Sequence, residues 1–233
     1  MTVLTDRASL KRQLFRLINS DDTDGGSTEY DPDDTPLEGL YLVLERGVRK
    51  AQQWLIHCGL GEYWLATSDP LTFSGTDAAD AGRYATLPTD FLRAYGDRHE
   101  SCLREPSGMQ WGREVSPRDR LRYTGNGYYF AKDQIWLTRR ATPSSSLVLD
   151  YYAKVDALVD DTTVDFPEDD RELIVAYAAD EASKHPWFLG GMEEKQGLQK
   201  HLADLKYEVY NRSRRSRQPR GRRERPNIGS RYY

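Results

Sequence analysis

Four histidines and two cysteines are the residues in this chain best suited to metal binding or nucleophilic attack. His57 and Cys58 are adjacent, so on a helix they point to different faces and cannot share a ligand. His185 and His201 are separated by the Gly190-Gly191 corner. No flanking residues around Cys58 or Cys102 resemble a nucleophile elbow or a thiol-protease motif, so neither reads as a Cys/His nucleophile pair. Gly125-Asn126-Gly127 lacks the Lys-Ser/Thr that a phosphate-cradling loop requires and reads as a turn. Ser20, Asp22, Asp24, Gly25 and Asp31 fall at positions 1, 3, 5, 6 and 12 of a calcium loop. Serine at the first position, Ser27 at the apolar eighth and Pro32 in the exit helix argue for a solvated acidic loop instead. Carboxylates are plentiful, yet none is paired in the apolar surroundings that acid/base catalysis needs. Asp160-Asp161 and Glu168–Asp170 read as turn and helix-start residues. These observations give no cofactor, no metal and no catalytic group, and they disfavour an enzyme that cleaves polysaccharide with two positioned carboxylates.

One segment does ask for a partner. Arg212, Arg214, Arg215, Arg217, Arg220, Arg222, Arg223, Arg225 and Arg231 stand against a single acid, Glu224, between Arg212 and Tyr233, a net charge of +8. The whole chain carries −4, which leaves −12 on residues 1–211. An acidic body with a basic arm is a better description than a nearly neutral protein. Guanidinium groups bind phosphates by counterion release or carboxylates by forked hydrogen bonds. Tyr232 and Tyr233 add aromatic anchors at the end of the arm. Fully extended, it would reach roughly 70 Å. Its composition offers almost nothing to bury, so it is expected to be extended or disordered on its own.

The elements that would carry this arm follow from periodicity. Leu147–Asp156 alternates as a strand, with Leu147, Leu149, Tyr151, Ala153 and Val155 on one face and Asp150, Tyr152, Lys154 and Asp156 on the other. An acidic connection at 160–165 follows. Phe166-Pro167-Glu168-Asp169-Asp170 then opens a helix, with acids opposed to the positive end of its dipole. Leu173, Ile174, Tyr177, Ala178 and Ala182 form its apolar stripe. A last helix carries Leu198, Leu202, Leu205 and Val209, and the pattern stops beyond Asn211. Towards the start, Thr5 caps a helix that buries Leu10, Leu14, Leu17 and Ile18. Asn19–Glu38 is an acidic loop with eight acids and no base. Thr35-Pro36-Leu37-Glu38 is a capping box for a second helix, striped by Leu37, Leu40, Tyr41, Leu44, Val48, Ala51 and Leu55 and stopped at Gly59. Glu62–Thr67, Arg83–Leu87, Phe91–Asp97, Gln110–Val115, Asp119–Thr124 and Gln134–Arg139 are candidate strands. Asn126-Gly127 is a tight-hairpin signal between Tyr123 and Tyr128–Phe130.

This pattern predicts an α+β chain. Residues 1–61 and 157–211 make a bundle of two N-terminal and two C-terminal helices. Residues 62–156 form an inserted small antiparallel β subdomain, closed by the Leu147 strand, and 212–233 form the arm. An apolar fraction of 38% is below the roughly 45–50% of an average globular chain, which points to further burial between subunits. Two cysteines imply no disulfide framework. The first helix is too charged for a signal sequence, and no apolar run is long enough to span a membrane.

Several of these stretches together resemble the head-to-tail adaptor proteins of tailed bacteriophages, also called head-completion or neck proteins. Tyr151-Tyr152, Ala157-Leu158-Val159-Asp160-Asp161, Pro167 and Glu172–Ala182 match that family's strand, acidic turn and helix. Ile135-Trp136-Leu137, Thr142-Pro143 and Leu147–Asp150 resemble its strand–turn–strand entry, and Leu87-Pro88-Thr89-Asp90-Phe91 its "LP.DF" turn. The resemblance implies a structural virion protein of the head–tail neck, assembled in the host cytoplasm and not an enzyme. It implies a dodecameric homo-oligomeric ring beneath the portal, a downstream tail or nozzle protein docked to it, and DNA passing through without sequence-specific binding, for genome retention and ejection. It also implies that Arg212–Tyr233, as a segment, engages the portal. The competing reading is a nucleic-acid-binding protein acting through the same arginines.

Overall fold

The fold was analysed in a computed structural model that describes residues 7–18, 37–75, 83–96, 101–138, 141, 146–155, 166–185, 188 and 190–217. Among the described residues the architecture is α+β, with four helices and two small sheets. By its contacts the chain divides into two compact units, Met1–Leu60 with Leu158–Tyr233 and Gly61–Ala157. The Thr5 cap, the calcium-like pattern, the Thr35-Pro36 half of the capping box and the acidic connection at 160–165 lie outside the described residues.

The first unit holds α1 (Arg7–Ile18), α2 (Leu37–Cys58), α3 (Arg171–Ala182) and α4 (Met192–Arg217). Leu10 and Leu14 of α1 are fully buried, as are Leu44, Ala51 and Leu55 of α2, where the helical spacing places them. The α3 helix departs from the single stripe expected of it. Leu173 through Ala179 are buried without a break, and Ala182 follows. The reason is its position, since α1, α2 and α4 all pack against it. A helix surrounded by others has no solvent face, and four alanines let its neighbours come close. Gly47 of α2 marks the tightest approach: a Cβ there would stand 2.6 Å from the Ile174 carbonyl oxygen and 3.0 Å from Ala178 Cβ.

The opening of α3 also differs. Pro167 precedes a short 3-10 turn, Glu168–Asp170, and α3 itself begins at Arg171 with Asp170 as its N-cap. Nor does α4 stop at Asn211. It runs on to Arg217, and Ser213 continues the buried line of Leu198, Leu202 and Val209. A serine on that line breaks an apolar pattern without breaking the helix.

The second unit holds β1 (Leu65–Thr67), β2 (Tyr84–Thr86), β3 (Phe91–Ala94), β4 (Leu103–Arg104), β5 (Arg113–Glu114), β6 (Gly127–Ala131), β7 (Gln134–Leu137) and β8 (Val148–Ala153). They form two four-stranded sheets in place of the single antiparallel one expected. In the first, β8 is the central strand, not a closing one. It pairs with β1 on one side and with β3 and β4 on the other, all antiparallel. In the second, the order is β2-β7-β6-β5, and β5 runs parallel to β6. Leu103, Tyr128, Ile135, Leu137, Leu147 and Leu149 make the heart of the core beneath both. Burying each such side chain stabilises by about 1.5–3 kcal/mol.

Three expected strands change. Glu62–Trp64 belongs to a 3-10 turn, and only Leu65–Thr67 is strand. Gln110–Val115 shrinks to Arg113–Glu114 with an isolated bridge at Gln110. Asp119–Thr124 is not a strand; its residues form turns, with Tyr123 N–H bonded to the Asp119 carbonyl at 3.1 Å. Asn126-Gly127 is accordingly not a hairpin. Gly127 is the first residue of β6, where a Cβ would meet the Tyr123 ring at 2.8 Å, so the glycine serves close packing and not a left-handed turn. The tight turn falls at Lys132-Asp133, between β6 and β7, with Lys132 at φ 54°.

Candidate functional site

The site singled out by composition is the arginine-rich arm, and the structure describes its root. Arg212, Arg214, Arg215 and Arg217 all lie within α4. Arg212 is the first to be committed internally. Its guanidinium pairs with the Asp170 carboxylate at the head of α3, a side chain only 8% exposed. Burial pushes the Asp170 carboxyl above its ordinary range, and the Arg212 hydrogen bond and charge pull against that shift. Asp170 makes no side-chain hydrogen bond to the α3 amides, although it occupies the N-cap. Its carboxylate is turned to the arginine instead.

One residue on, Ser213 Oγ donates to the Cys58 carbonyl at the end of α2. That carbonyl is one of the last in its helix and needs a partner from outside it. So α4 is fixed at its far end to both α2 and α3 by two polar contacts, in addition to Leu198, Leu202 and Val209. Midway along, Lys206 Nζ stands 4.2 Å from the Trp54 ring centroid and 5.8 Å from that of Tyr177. The arm leaves the body from a helix that is held, not from a frayed end.

The next cation along α4, Arg214, turns outward. Arg214 is exposed, with its guanidinium 5.9 Å from the Tyr210 ring centroid. Tyr207 and Tyr210, one helical step apart, are 68% and 46% exposed. Arg220, Arg222, Arg223, Arg225, Arg231, Tyr232 and Tyr233 lie outside the described residues. By sequence Arg212 belongs with the other arginines of the arm, and no motif there points to Asp170 or Ser213. The available signal was a lone serine at helical spacing, four residues beyond Val209.

The other chemical candidates resolve differently. Cys58 and Cys102 are both buried, and neither is in a disulfide. Burial raises the Cys102 thiol to about 12, so it is protonated at neutral pH and no thiolate forms there. His57 faces out, 5.5 Å from the Trp54 ring, while the adjacent Cys58 faces in. Among the described residues no three His, Cys, Asp or Glu side chains cluster as a metal site would require. No helix of the described residues is long and apolar enough to cross a membrane. Asp150, expected on the polar face of its strand, is 7% exposed. It accepts from Thr67 Oγ1 at 2.8 Å and pairs with Arg104, so it ties β1, β4 and β8 together.

Stretches that are far apart in sequence meet in the β-rich unit. The Leu87–Phe91 turn closes through Phe91 N–H to the Pro88 carbonyl at 3.0 Å. Its Asp90 accepts a 2.9 Å hydrogen bond from Tyr151 of β8, and the Phe91 ring stands 5.8 Å from that of Tyr151. Burial, and then Asp90, raise the Tyr151 hydroxyl to about 12. A family model described as SU10 adaptor protein matches residues 7–227. That span covers both units and all but the last six residues of the arm. No curated protein matches the chain.

Proposed function

The chain belongs to the SU10 adaptor protein family, a family of phage head-to-tail adaptors, and on that basis we propose that it builds a ring joining portal to tail. The protein is a structural virion component. In the proposed assembly twelve copies form the ring and extend the DNA channel below the portal. The arm, residues 212–233, is rooted on each copy at Arg212 and Ser213 and runs from there onto the portal, and the ring docks the downstream tail or nozzle protein. It performs no catalysis, and it neither holds nor reads the DNA that passes.

The observation that carries this reading is the family match over 7–227, taken with the division of charge. A body at −12 repels phosphates, which suits a channel that must release its genome. A basic arm suits the carboxylates of a protein partner. Anchoring through Arg212 and Ser213 gives that arm a defined point of departure and changes how it must be tested. Cutting after Asn211 removes two residues that hold the body together. Cutting after Arg217 leaves the Asp170–Arg212 and Ser213–Cys58 contacts intact while removing residues 218–233, with five of the nine arginines. The expected result is a folded protein that no longer co-assembles with purified portal. Co-assembly of this variant at the full-length affinity would reject the arm's role. The same pair of proteins distinguishes the nucleic-acid reading, which requires DNA binding at ~50 mM salt that weakens steeply as salt rises.

A further inference from the structure

Two sheet edges face a single groove in the β-rich unit. β3 ends the first sheet and β5 ends the second, and among the described residues neither has a strand on its outer side. The groove between them has a volume of about 960 Å³ and is walled by Phe91–Gly96 and Gly112–Pro117. In β5 the N–H groups of Arg113 and Val115 are bonded to the Asn126 and Tyr128 carbonyls of β6, at 3.1 and 2.9 Å. That pattern turns the backbone N–H and C=O of Glu114 the other way, toward the groove. Open strand edges are templates for a further strand. The floor is aromatic: Phe91 and Phe130 stack with ring centroids 5.7 Å apart, and Tyr128 stands edge-on to Phe130 at 5.9 Å.

The rim is basic. Arg93 and Arg113 are exposed, and β5 leads into an exposed turn bearing Arg118, Arg120 and Arg122. Among the described residues of Phe91–Gly96 and Gly112–Arg122, Glu114 and Asp119 are the acids that offset these five arginines. An occupant should therefore be an extended segment with an aromatic side chain directed inward and carboxylates at the rim. This charge opposes the arginine-rich residues 218–233. Residues 19–36 have the complementary character, with seven acids and no base. Within them Glu29-Tyr30-Asp31 is one aromatic flanked by two acids, and in an extended chain the aromatic points to one face and both acids to the other. Pro32 follows, a residue that ends strand pairing.

We propose that the groove between β3 and β5 receives residues 28–32 of a second copy of this chain as an added strand. Tyr30 lies over Phe91 and Phe130, and Glu29 and Asp31 lie against Arg93 and Arg113. Two unlike, complementary patches on one chain make a head-to-tail contact, the kind that closes rings. The proposal rests on the ring reading in that it needs a neighbouring copy.

The test uses the full chain carrying Glu29→Gln, Tyr30→Ala and Asp31→Asn, so that its own segment does not compete. A labelled peptide of residues 26–36 is titrated into it. Saturable binding is expected, weakened at least tenfold by Tyr30→Ala in the peptide and by Arg93→Glu with Arg113→Glu in the receptor, provided the receptor's circular dichroism is unchanged. No saturable binding would overturn the proposal. So would equal binding of a scrambled peptide, or tighter binding of a peptide of residues 218–233. Light scattering of the unaltered protein separates the two readings. A ring with no peptide binding refutes only the groove assignment, and peptide binding by a strict monomer refutes both the ring and the exchange of the segment between copies.

Discussion

Arg212 and Asp170 are unequal partners. The arginine side chain is 43% exposed and the carboxylate 8%. Removing the arginine leaves a buried carboxylate unpaired, whereas removing the carboxylate's charge leaves an arginine that water can reach. Arg212→Ala is therefore expected to cost about 2–3 kcal/mol at neutral pH and Asp170→Asn clearly less. Urea unfolding of both variants measures the difference. Because burial raises the Asp170 carboxyl, the Arg212→Ala deficit should shrink as pH falls and the acid takes up its proton. Glu181 behaves in the opposite sense. Lys184 at 2.8 Å and Lys50 at 2.5 Å hold its carboxyl down at about 2. A depressed acid contributes stability above its unfolded value, and that stability is lost as pH falls toward the folded one. With both lysines partly hydrated, Glu181→Gln should cost about 1–2 kcal/mol at pH 7. Its deficit should fade between about pH 4.5 and 2, followed by unfolding at successive pH values.

At the scale of elements, the crossing of α2 and α3 decides most. Gly47→Ala gains about 1 kcal/mol in helix propensity but drives a methyl into the Ile174 carbonyl and Ala178. Backbone cannot move aside as a flexible side chain can, so a net loss of about 2 kcal/mol is expected, visible as a lower melting temperature. Nothing local distinguishes Gly47 from an ordinary weak helix position, because its role belongs to the facing helix. The same holds for α3, where Leu173, Ile174, Tyr177, Ala178 and Ala182 read as one stripe in sequence, whereas every residue from Leu173 to Ala179 is buried. It holds for Asn126-Gly127 too. Its dipeptide is the strongest hairpin signal in the chain, yet Gly127 is required by the Tyr123 ring packed over it. Strand pairing shows the same limit. Periodicity marked β8 as a strand and could not say that it lies between β1 and β3.

At the scale of the whole molecule, the consequence of family membership is assembly. One copy has a mass of 26.8 kDa, and the proposed twelve would total about 320 kDa. Light scattering of the protein alone, and again with portal rings, should report that mass or its complex. A strict monomer in both would refute the ring. If the arm acts through exposed guanidinium groups, portal binding should weaken markedly between about 50 and 500 mM salt, where charges a Debye length apart become screened.

By itself the sequence determined the alternation of helical and strand periods, the separation of an acidic body from a basic arm, and the motifs that match an adaptor family. These are legible because each depends on neighbours within a few residues or on composition alone. Only the tertiary structure decided which cations belong to the arm. Arg212 and Arg214 are two residues apart in one basic run, but Arg212 reaches Asp170, which is 42 residues away, and Arg214 faces outward. Burial and pairing depend on what a distant element brings to the same point, and no local pattern encodes that.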